Sequence, residues 1–530
     1  MTLLEINNLN LSIGRLPILH DVSLSVRPGE ICGLAGESGS GKSMTALCTL
    51  NLLPAMARLT GSVRLKGAEL VGLPEAAMCQ LRGQQISMIF QEPMTALNPL
   101  RTIGDQVAET LIIHGRASRK QAAEIAAEKL ARVGLPARSF APSLYPHELS
   151  GGQRQRVMIA QAIALKPALL IADEPTTALD VTTQAEILSL LRDLVEQDGM
   201  SMLLITHDLA VLADMANQIS VMEQGRIVEQ GSTRNLFQHR RHPYTRKLFD
   251  ASGHIPPRHQ SPSVKVLLQA NGVSVSYRRK SGFFAKPEEM NAVQDISFTL
   301  HENESLGLVG ESGCGKSTLS RALLGLQPLA AGQIAFMGHQ LGRASRMPNP
   351  MRAAMQVVFQ DPYGSFNPRH KVGRLLAEPF HLMAEAPKGR ARARLLDQAL
   401  EEVGLASADK DKYIHEFSGG QRQRIAIARA LVLKPKLIIL DEAVSALDVS
   451  IRARILDLLA SLRDSHHLSY LFVSHDLNVV RAITDRVLVM QAGQIVEQGE
   501  TERILSTPSH PYTKALLAAT PQIPADWQYS

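Results

Sequence analysis

Two stretches of this sequence have the residue types and spacing to hold a polyphosphate. Gly36-Glu37-Ser38-Gly39-Ser40-Gly41-Lys42-Ser43 and Gly310-Glu311-Ser312-Gly313-Cys314-Gly315-Lys316-Ser317, the second followed by Thr318, both read G-x-x-x-x-G-K-[ST]. Glycines let a short loop turn successive N–H groups toward phosphate oxygens, and the helix that follows adds its positive N-terminal end. Lys42 and Lys316 can reach the β- and γ-phosphates, while Ser43 and Ser317 can offer a hydroxyl to Mg2+. One such match arises by chance in roughly one or two of a hundred chains this long. Here there are two, each between an apolar run and a helix-compatible segment.

Acidic pairs follow downstream. Leu170-Ile171-Ala172-Asp173-Glu174 and Ile438-Ile439-Leu440-Asp441-Glu442 each end an apolar run on two carboxylates. Ligands of open α/β sheets bind at the ends of the strands. Asp173 and Asp441 would hold Mg2+ through water, and Glu174 and Glu442 would orient or deprotonate an attacking water. Phosphoryl transfer needs little beyond positioning and charge neutralisation, so this inventory is sufficient. Thr206-His207-Asp208 and Ser474-His475-Asp476 also sit just after apolar runs. A histidine at a strand end is commonly a plain surface residue. Two at matching places suggest contact with a γ-phosphate, whose developing charge a ring N–H would stabilise.

The elements that must position these residues recur as well. His20-Asp21-Val22-Ser23-Leu24-Ser25-Val26 returns as Gln294-Asp295-Ile296-Ser297-Phe298-Thr299-Leu300, and Ser150-Gly151-Gly152-Gln153 returns as Ser418-Gly419-Gly420-Gln421. The unit of repetition is therefore half the chain. The runs Ile31–Ala35, Leu169–Ala172 and Met202–Ile205 are short, continuous and apolar, as expected of a parallel sheet buried on both faces. Between Gln91 and Ser150 the periodicity becomes helical, with Ala126, Leu130 and Val133 on one face and Gly134 as a stop; Leu396, Leu400, Val403 and Gly404 repeat it. Each half reads as an α/β core with an inserted helical subdomain. Pro256, Pro257 and Pro262 mark a seam, so the expected domains are 1–250 and 266–530, joined by a linker over 251–265.

The chain has 530 residues, 45% hydrophobic and 20% charged, which is ordinary for a globular protein and enough for each half to bury a core. A net charge of +6 fits nucleic acid, an anionic membrane face or a polyphosphate. With no run of about five or six like charges, it reads first as a solvated surface. The four cysteines, Cys32, Cys48, Cys79 and Cys314, form no CxxC pair and no Cys/His cluster, which argues against zinc, iron–sulfur and disulfide frameworks and fits a reducing compartment. The N-terminus lacks a secretory pattern, and no apolar stretch approaches the roughly 20 residues of a membrane span. The expectation is a cytosolic protein that reaches a membrane only by docking on another protein.

With Leu149-Ser150-Gly151-Gly152-Gln153 and Phe417-Ser418-Gly419-Gly420-Gln421, the sequence resembles the ATP-binding cassette (ABC) superfamily over nearly its whole length. Read alone, Ser-Gly-Gly before a helix is either an anion-receiving helix start or a simple cap. Within the family it is the signature loop that closes over the γ-phosphate held by the opposite cassette. The resemblance implies two tandem P-loop nucleotide-binding domains arranged head-to-tail, with ATP and Mg2+ as ligands. One site would combine Lys42, Asp173, Glu174 and His207 with Ser418 and Gly420. The other would combine Lys316, Asp441, Glu442 and His475 with Ser150 and Gly152. Gln91 and Gln360 match the loop that senses Mg2+ and touches the transporter's coupling helices, and Asp180 and Asp448 match the loop that crosses the dimer interface. Tyr277 matches the aromatic that stacks on adenine; its counterpart is Ile13, which implies apolar packing without full stacking in the first site. Ala443 replaces Pro175 with no expected loss of chemistry.

Arg241-His242-Pro243-Tyr244-Thr245 and Ser509-His510-Pro511-Tyr512-Thr513 end the halves, each a turn followed by a helix start. Together with Met94-Thr95-Ala96-Leu97-Asn98-Pro99 and Tyr363-Gly364-Ser365-Phe366-Asn367-Pro368 they are similar to the oligopeptide, dipeptide and nickel importer ATPases. Many members carry a Cys-rich extension with an iron–sulfur cluster; no cysteine follows Cys314 here, so that cluster is not expected. A fused double cassette of this length resembles the ATPase subunit of microcin C and peptide importers, with the usually longer glutathione importer ATPase as rival. The implied partners are two transmembrane permease subunits and a periplasmic substrate-binding protein, and the implied location is peripheral, on the cytoplasmic face of a bacterial inner membrane. A translation-factor or DNA-repair ATPase predicts a long charged linker, zinc cysteines or a strong basic patch, none of which is present, so no nucleic-acid partner is expected.

Overall fold

The computed structural model describes residues 2–177, 179–257, 262–279, 288–341, 347–361, 364–445 and 447–527; residues 258–261 of the expected linker and Tyr363 lie outside the described residues. Short apolar segments cannot leave their backbone unpaired in a core, so they pair with one another. In the first half they form a six-stranded sheet in the order Arg226–Ser232, Gln218–Glu223, Ile31–Ala35, Ser201–Ile205, Leu169–Asp173, Ile86–Ile89. All neighbours are parallel except the edge strand Arg226–Ser232. Helices cover one face, and the helix Lys42–Thr49 with a second sheet covers the other. The strands therefore need no polar alternation, and Leu169, Leu170, Ile171 and Ala172 are all fully buried. The second half repeats the order with Gln494–Glu500, Arg486–Gln491, Ser305–Val309, Ser469–Ser474, Leu437–Asp441 and Met355–Val358.

A second sheet in each half goes beyond the sequence reading. Leu16–Val26, Leu4–Ile13, Ala57–Leu65 and Ala68–Glu69 form a four-stranded antiparallel sheet, repeated by Glu288–His301, Val266–Arg279, Ala331–Phe336 and His339–Leu341. Leu4, Ile6, Leu9 and Leu11 share one buried cluster with Leu34, Ile171 and Ile205 of the parallel sheet. Their spacing is not a clean alternation. Asn8 takes φ +48, and the register shifts between Ile6 and Leu9. That bulge changes which parity faces the core.

The inserted helices are Ile103–Ile113, Arg119–Arg132 and Gly151–Ala162, capped by Thr102, Ser118 and Ser150, whose hydroxyls accept N–H groups from the first turn. Ala126, Leu130 and Val133 are buried, and Gly134 closes its helix at φ +83. Among the described residues no helix is long and apolar enough to cross a membrane, and all four cysteines are free.

The C-terminal helix of each half packs on its own core and also reaches the other half. Pro243–Ser252 packs on Val449–His466 of the second half, and Pro511–Ala519 packs on Val181–Glu196 of the first. His254 Nε2 lies 2.6 Å from Asp457 Oδ1. Trp527 meets the buried Phe237 edge-on at 5.7 Å between centroids. Trp527 is the chain's single tryptophan, so its fluorescence reads this junction. Replacing Phe237 with Ala should move the emission to longer wavelength and cost about 3–5 kcal/mol in a urea titration. An unshifted spectrum would contradict the contact.

Candidate active site

Both phosphate loops leave the C-terminal end of the central strand and run into a helix that begins at the lysine. In the first half the strand Ile31–Ala35 leads through the loop to Lys42–Thr49, and in the second Ser305–Val309 leads to Lys316–Leu323. Gly36 is fixed by space: at φ +151, an added Cβ would lie 2.3 Å from the carbonyl oxygen of Met222. Lys42 is buried, and its Nζ donates to Gly36 O and Glu37 O at 2.8 Å each. Lys316 does the same with Gly310 O and Glu311 O at 2.8 Å. Burial lowers the pKa of Lys42, against the opposing pull of Glu174, Asp448, Asp173 and Glu37.

The strand beside each loop delivers the acids. Asp173 ends Leu169–Asp173, and Asp441 ends Leu437–Asp441. Glu174 and Glu442 follow in the left-handed region at φ +47 and +50. That conformation costs a non-glycine residue roughly 1–2 kcal/mol, and its presence at both acids marks a position where geometry overrides local preference. Glu174 Oε1 lies 3.1 Å from His207 Nδ1, and Oε2 accepts from Gln91 Nε2 at 2.7 Å and Thr177 Oγ1 at 3.0 Å. Burial pushes this carboxyl up, yet the bonds to His207 and Thr177 and the Lys42 charge outweigh it and hold it at about 2. Asp173 goes the other way, raised chiefly by burial, and its Oδ1 is buried without a hydrogen-bond partner.

The second half resembles the first without copying it. Glu442 Oε1 lies 3.4 Å from His475 Nδ1, and its carboxyl is also lowered, burial being outweighed by His475 and Lys316. Ser317 Oγ donates to Asp441 Oδ1 at 3.5 Å, and burial followed by Glu442 raises Asp441. Ser445 stands where the first half has Thr177, but its hydroxyl bonds the backbone oxygen of Glu442. Gln91 and Gln360 are both exposed, and Gln91 reaches its glutamate.

The halves face each other across these loops. Ser38 N–H donates to Asp448 Oδ1 of the opposite half at 2.8 Å. The matching Asp180 caps its own helix through Thr183 N at 3.0 Å. A cavity of about 140 Å3 between the halves is lined by Thr177, His207 and Asp208 from one side and Ser445, His475 and Asp476 from the other. Ser150 and Ser418 each cap their own helix, and among the described residues neither is hydrogen-bonded to the opposite phosphate loop. Gly152 and Gly420 pack so closely on Thr183 and Ile451 that a Cβ would lie 2.4 and 2.5 Å from their γ-methyls.

Ile13 and Tyr277 take equivalent places near the ends of matching strands, pairing Leu16 and Met290 respectively. Tyr277 Oη lies 3.4 Å from Thr318 Oγ1 in the helix after the second loop. In the first half that helix position is Met44, so the aromatic and its hydroxyl partner are replaced together by Ile13 and Met44. The Ile13 difference is visible in the sequence; the coupled change at Met44 emerges only from the contact.

The ABC transporter family matches residues 19–177 and 293–445, one complete copy of this loop-and-carboxylate arrangement in each half. The chain belongs to the ABC transporter family. It is an ATPase of that family and an ATP-binding subunit of the kind that works with membrane permeases. The C-terminal region of oligopeptide/dipeptide transporters matches residues 228–270 and 496–530. The peptidoglycan transport ATP-binding protein YejF of Agrobacterium fabrum is 48% identical over 95% of this chain and 93% of its own length. YejF of Escherichia coli K12, called an uncharacterized ABC transporter ATP-binding protein, is 45% identical over 98% of this chain and 99% of its own. The glutathione import ATP-binding protein GsiA of Salmonella choleraesuis is 43% identical over 98% and 89% respectively.

Two glycines of one loop separate steric from conformational cost. Gly36→Ala must push a Cβ into a backbone oxygen and should abolish nucleotide binding, with a fall in melting temperature. Gly39 has φ +77 but open space around it, so Gly39→Ala should cost only about 1 kcal/mol. Thermal melts and binding of a fluorescent ATP analogue distinguish them; equal behaviour would contradict the geometry.

Proposed function

We propose that this chain is the ATP-hydrolysing subunit of a bacterial ABC importer for peptides, of the oligopeptide and microcin C type. The observation that carries the ATPase part is the joint presence, in each half, of a buried loop lysine and a glutamate tied to a histidine. Support for a peptide cargo comes from the transporter C-terminal region matched at the end of both halves. Relatives named for peptidoglycan and glutathione transport add to it, since both compounds carry short peptide chains. Glutathione import is the second reading, favoured by the 43% identity to GsiA.

In this reading residues 1–250 and 266–530 are two cassettes joined by 251–265, and each ATP is held between them. Lys42 and Lys316 bind the β- and γ-phosphates, and the opposed signature residues Ser418 and Gly420, or Ser150 and Gly152, present a helix N-terminus to the γ-phosphate. Tyr277 stacks on adenine in the second site, while Ile13 offers only apolar contact in the first. Water attacks the γ-phosphorus as the bond to the β–γ bridging oxygen breaks, releasing ADP and phosphate. A carboxylate as acidic as Glu174 serves best by orienting that water. His207 and His475 hold the glutamates and stand ready to donate to the γ-phosphate. Mg2+, when bound, would be held by Ser43, Gln91 and Asp173, or by Ser317, Gln360 and Asp441, and would neutralise phosphate charge. The partnerless Asp173 Oδ1 and the Ser317–Asp441 pair suit an ion that takes few protein oxygens and completes its shell with water and phosphate. Closing on two ATP molecules and reopening after hydrolysis would drive two separate transmembrane permease subunits, fed by a periplasmic substrate-binding protein, at the cytoplasmic face of the inner membrane.

Turnover of Glu174→Gln and Glu442→Gln, made separately, tests whether both sites hydrolyse. Each should lower kcat by about 100-fold or more. Full activity in either variant would remove that site from the mechanism. With its permeases, the subunit should be stimulated by peptide-loaded binding protein; stimulation by nucleic acid instead would overturn the transport reading.

A further inference from the structure

The His-Pro-Tyr-Thr tails serve above as a family marker, and nothing in the mechanism uses them. Their geometry is specific. Glu229 accepts the N–H groups of Arg241 and His242, and His242 Nδ1 accepts that of Tyr244, which fixes the start of the helix Pro243–Ser252. Glu497 and His510 repeat this before Pro511–Ala519. The helix start buries the ring of Tyr244 in one half and of Tyr512 in the other. Tyr244 Oη accepts the N–H of Glu37 at 3.0 Å, and Tyr512 Oη accepts the N–H of Glu311 at 3.0 Å.

That N–H belongs to a peptide with a second task. The Gly36–Glu37 peptide is a rigid plane whose N–H and C=O point in opposite directions. Its N–H is held by Tyr244, and its C=O, Gly36 O, receives Lys42 Nζ at 2.8 Å. The tyrosine hydroxyl therefore aims the loop lysine through one peptide. Tyr512, Gly310 O and Lys316 repeat the arrangement. Burial pushes both phenols up to about 12, so the hydroxyls stay protonated at any working pH.

The same tail helix lies against the opposite half. Pro243–Ser252 packs on Val449–His466, whose N-cap, Asp448, accepts the next loop N–H, that of Ser38. Consecutive N–H groups of one phosphate loop are thus held by its own tail and by the facing helix, and those two elements touch.

We propose that Tyr244 and Tyr512 are positioning residues for ATP, each fixing the first peptide of its own phosphate loop and so the aim of the loop lysine. The assignment rests on the ATPase reading above. The test is steady-state ATPase kinetics of the full chain carrying Tyr244→Phe and Tyr512→Phe together, so that both sites change alike. Phenylalanine keeps the buried ring and removes only the acceptor. KM for ATP should rise about tenfold, the worth of one lost positioning hydrogen bond, with kcat at saturating ATP within about twofold of the parent. A tail that merely stabilises the fold would lower the melting temperature or the active fraction and leave KM unchanged, and that result would overturn the assignment. Tyr244→Leu with Tyr512→Leu, which also loses ring packing, should give the same rise in KM; a rise with Leu but none with Phe would overturn the hydroxyl's role. A parent protein without ATP turnover would instead sink the function beneath it, which separates the two failures.

Discussion

A loop that grips phosphate with its own backbone must have every peptide oriented before the anion arrives. This requirement accounts for most of what surrounds residues 36–43 and 310–317. The central strand of a buried parallel sheet delivers the loop at a fixed place. Gly36 accepts a position where any side chain would strike Met222 O. The two carbonyls that bracket Lys42 keep its charge at the mouth of the loop despite the cost of burial. Tyr244 and Asp448 secure the loop's outer N–H groups from the tail and from the facing half.

The acids next to the loop follow the same logic of preorganisation. Glu174 and Glu442 occupy a backbone conformation that neither would choose alone, and each meets a histidine from the next strand end. Opposite shifts in neighbouring carboxyls divide the labour: the glutamate is held ionised, while burial raises the aspartate that faces the lysine's helix.

Much of this was legible in the sequence because it depends on local residue types. Glycines, lysine, paired acids and histidines announce themselves at fixed offsets, and unbroken apolar runs identify buried parallel strands. The antiparallel sheet was not legible, because the bulge at Asn8 breaks the alternation that would reveal it. The role of Tyr244 was hidden for another reason: its partner lies 207 residues away, and its chemistry is that of one hydroxyl on one backbone N–H. The bridging of the two halves by the tail helices is likewise a tertiary fact. His-Pro-Tyr-Thr shows that a helix starts there, but not that it touches the other half as well as its own.

Fusing two cassettes in one chain allows the sites to differ. Tyr277 with Thr318 stands where the first half has Ile13 with Met44, and Asp448 reaches across the interface where Asp180 caps its own helix. On the proposed function, one chain holds two unequal ATP sites. Calorimetric titration of Mg·ATP into the Glu174→Gln, Glu442→Gln double variant tests it most directly. Two ATP per chain should bind with distinct affinities, the tighter one lost on adding Lys316→Ala. A single site, or two sites that respond equally to Lys42→Ala and Lys316→Ala, would contradict it.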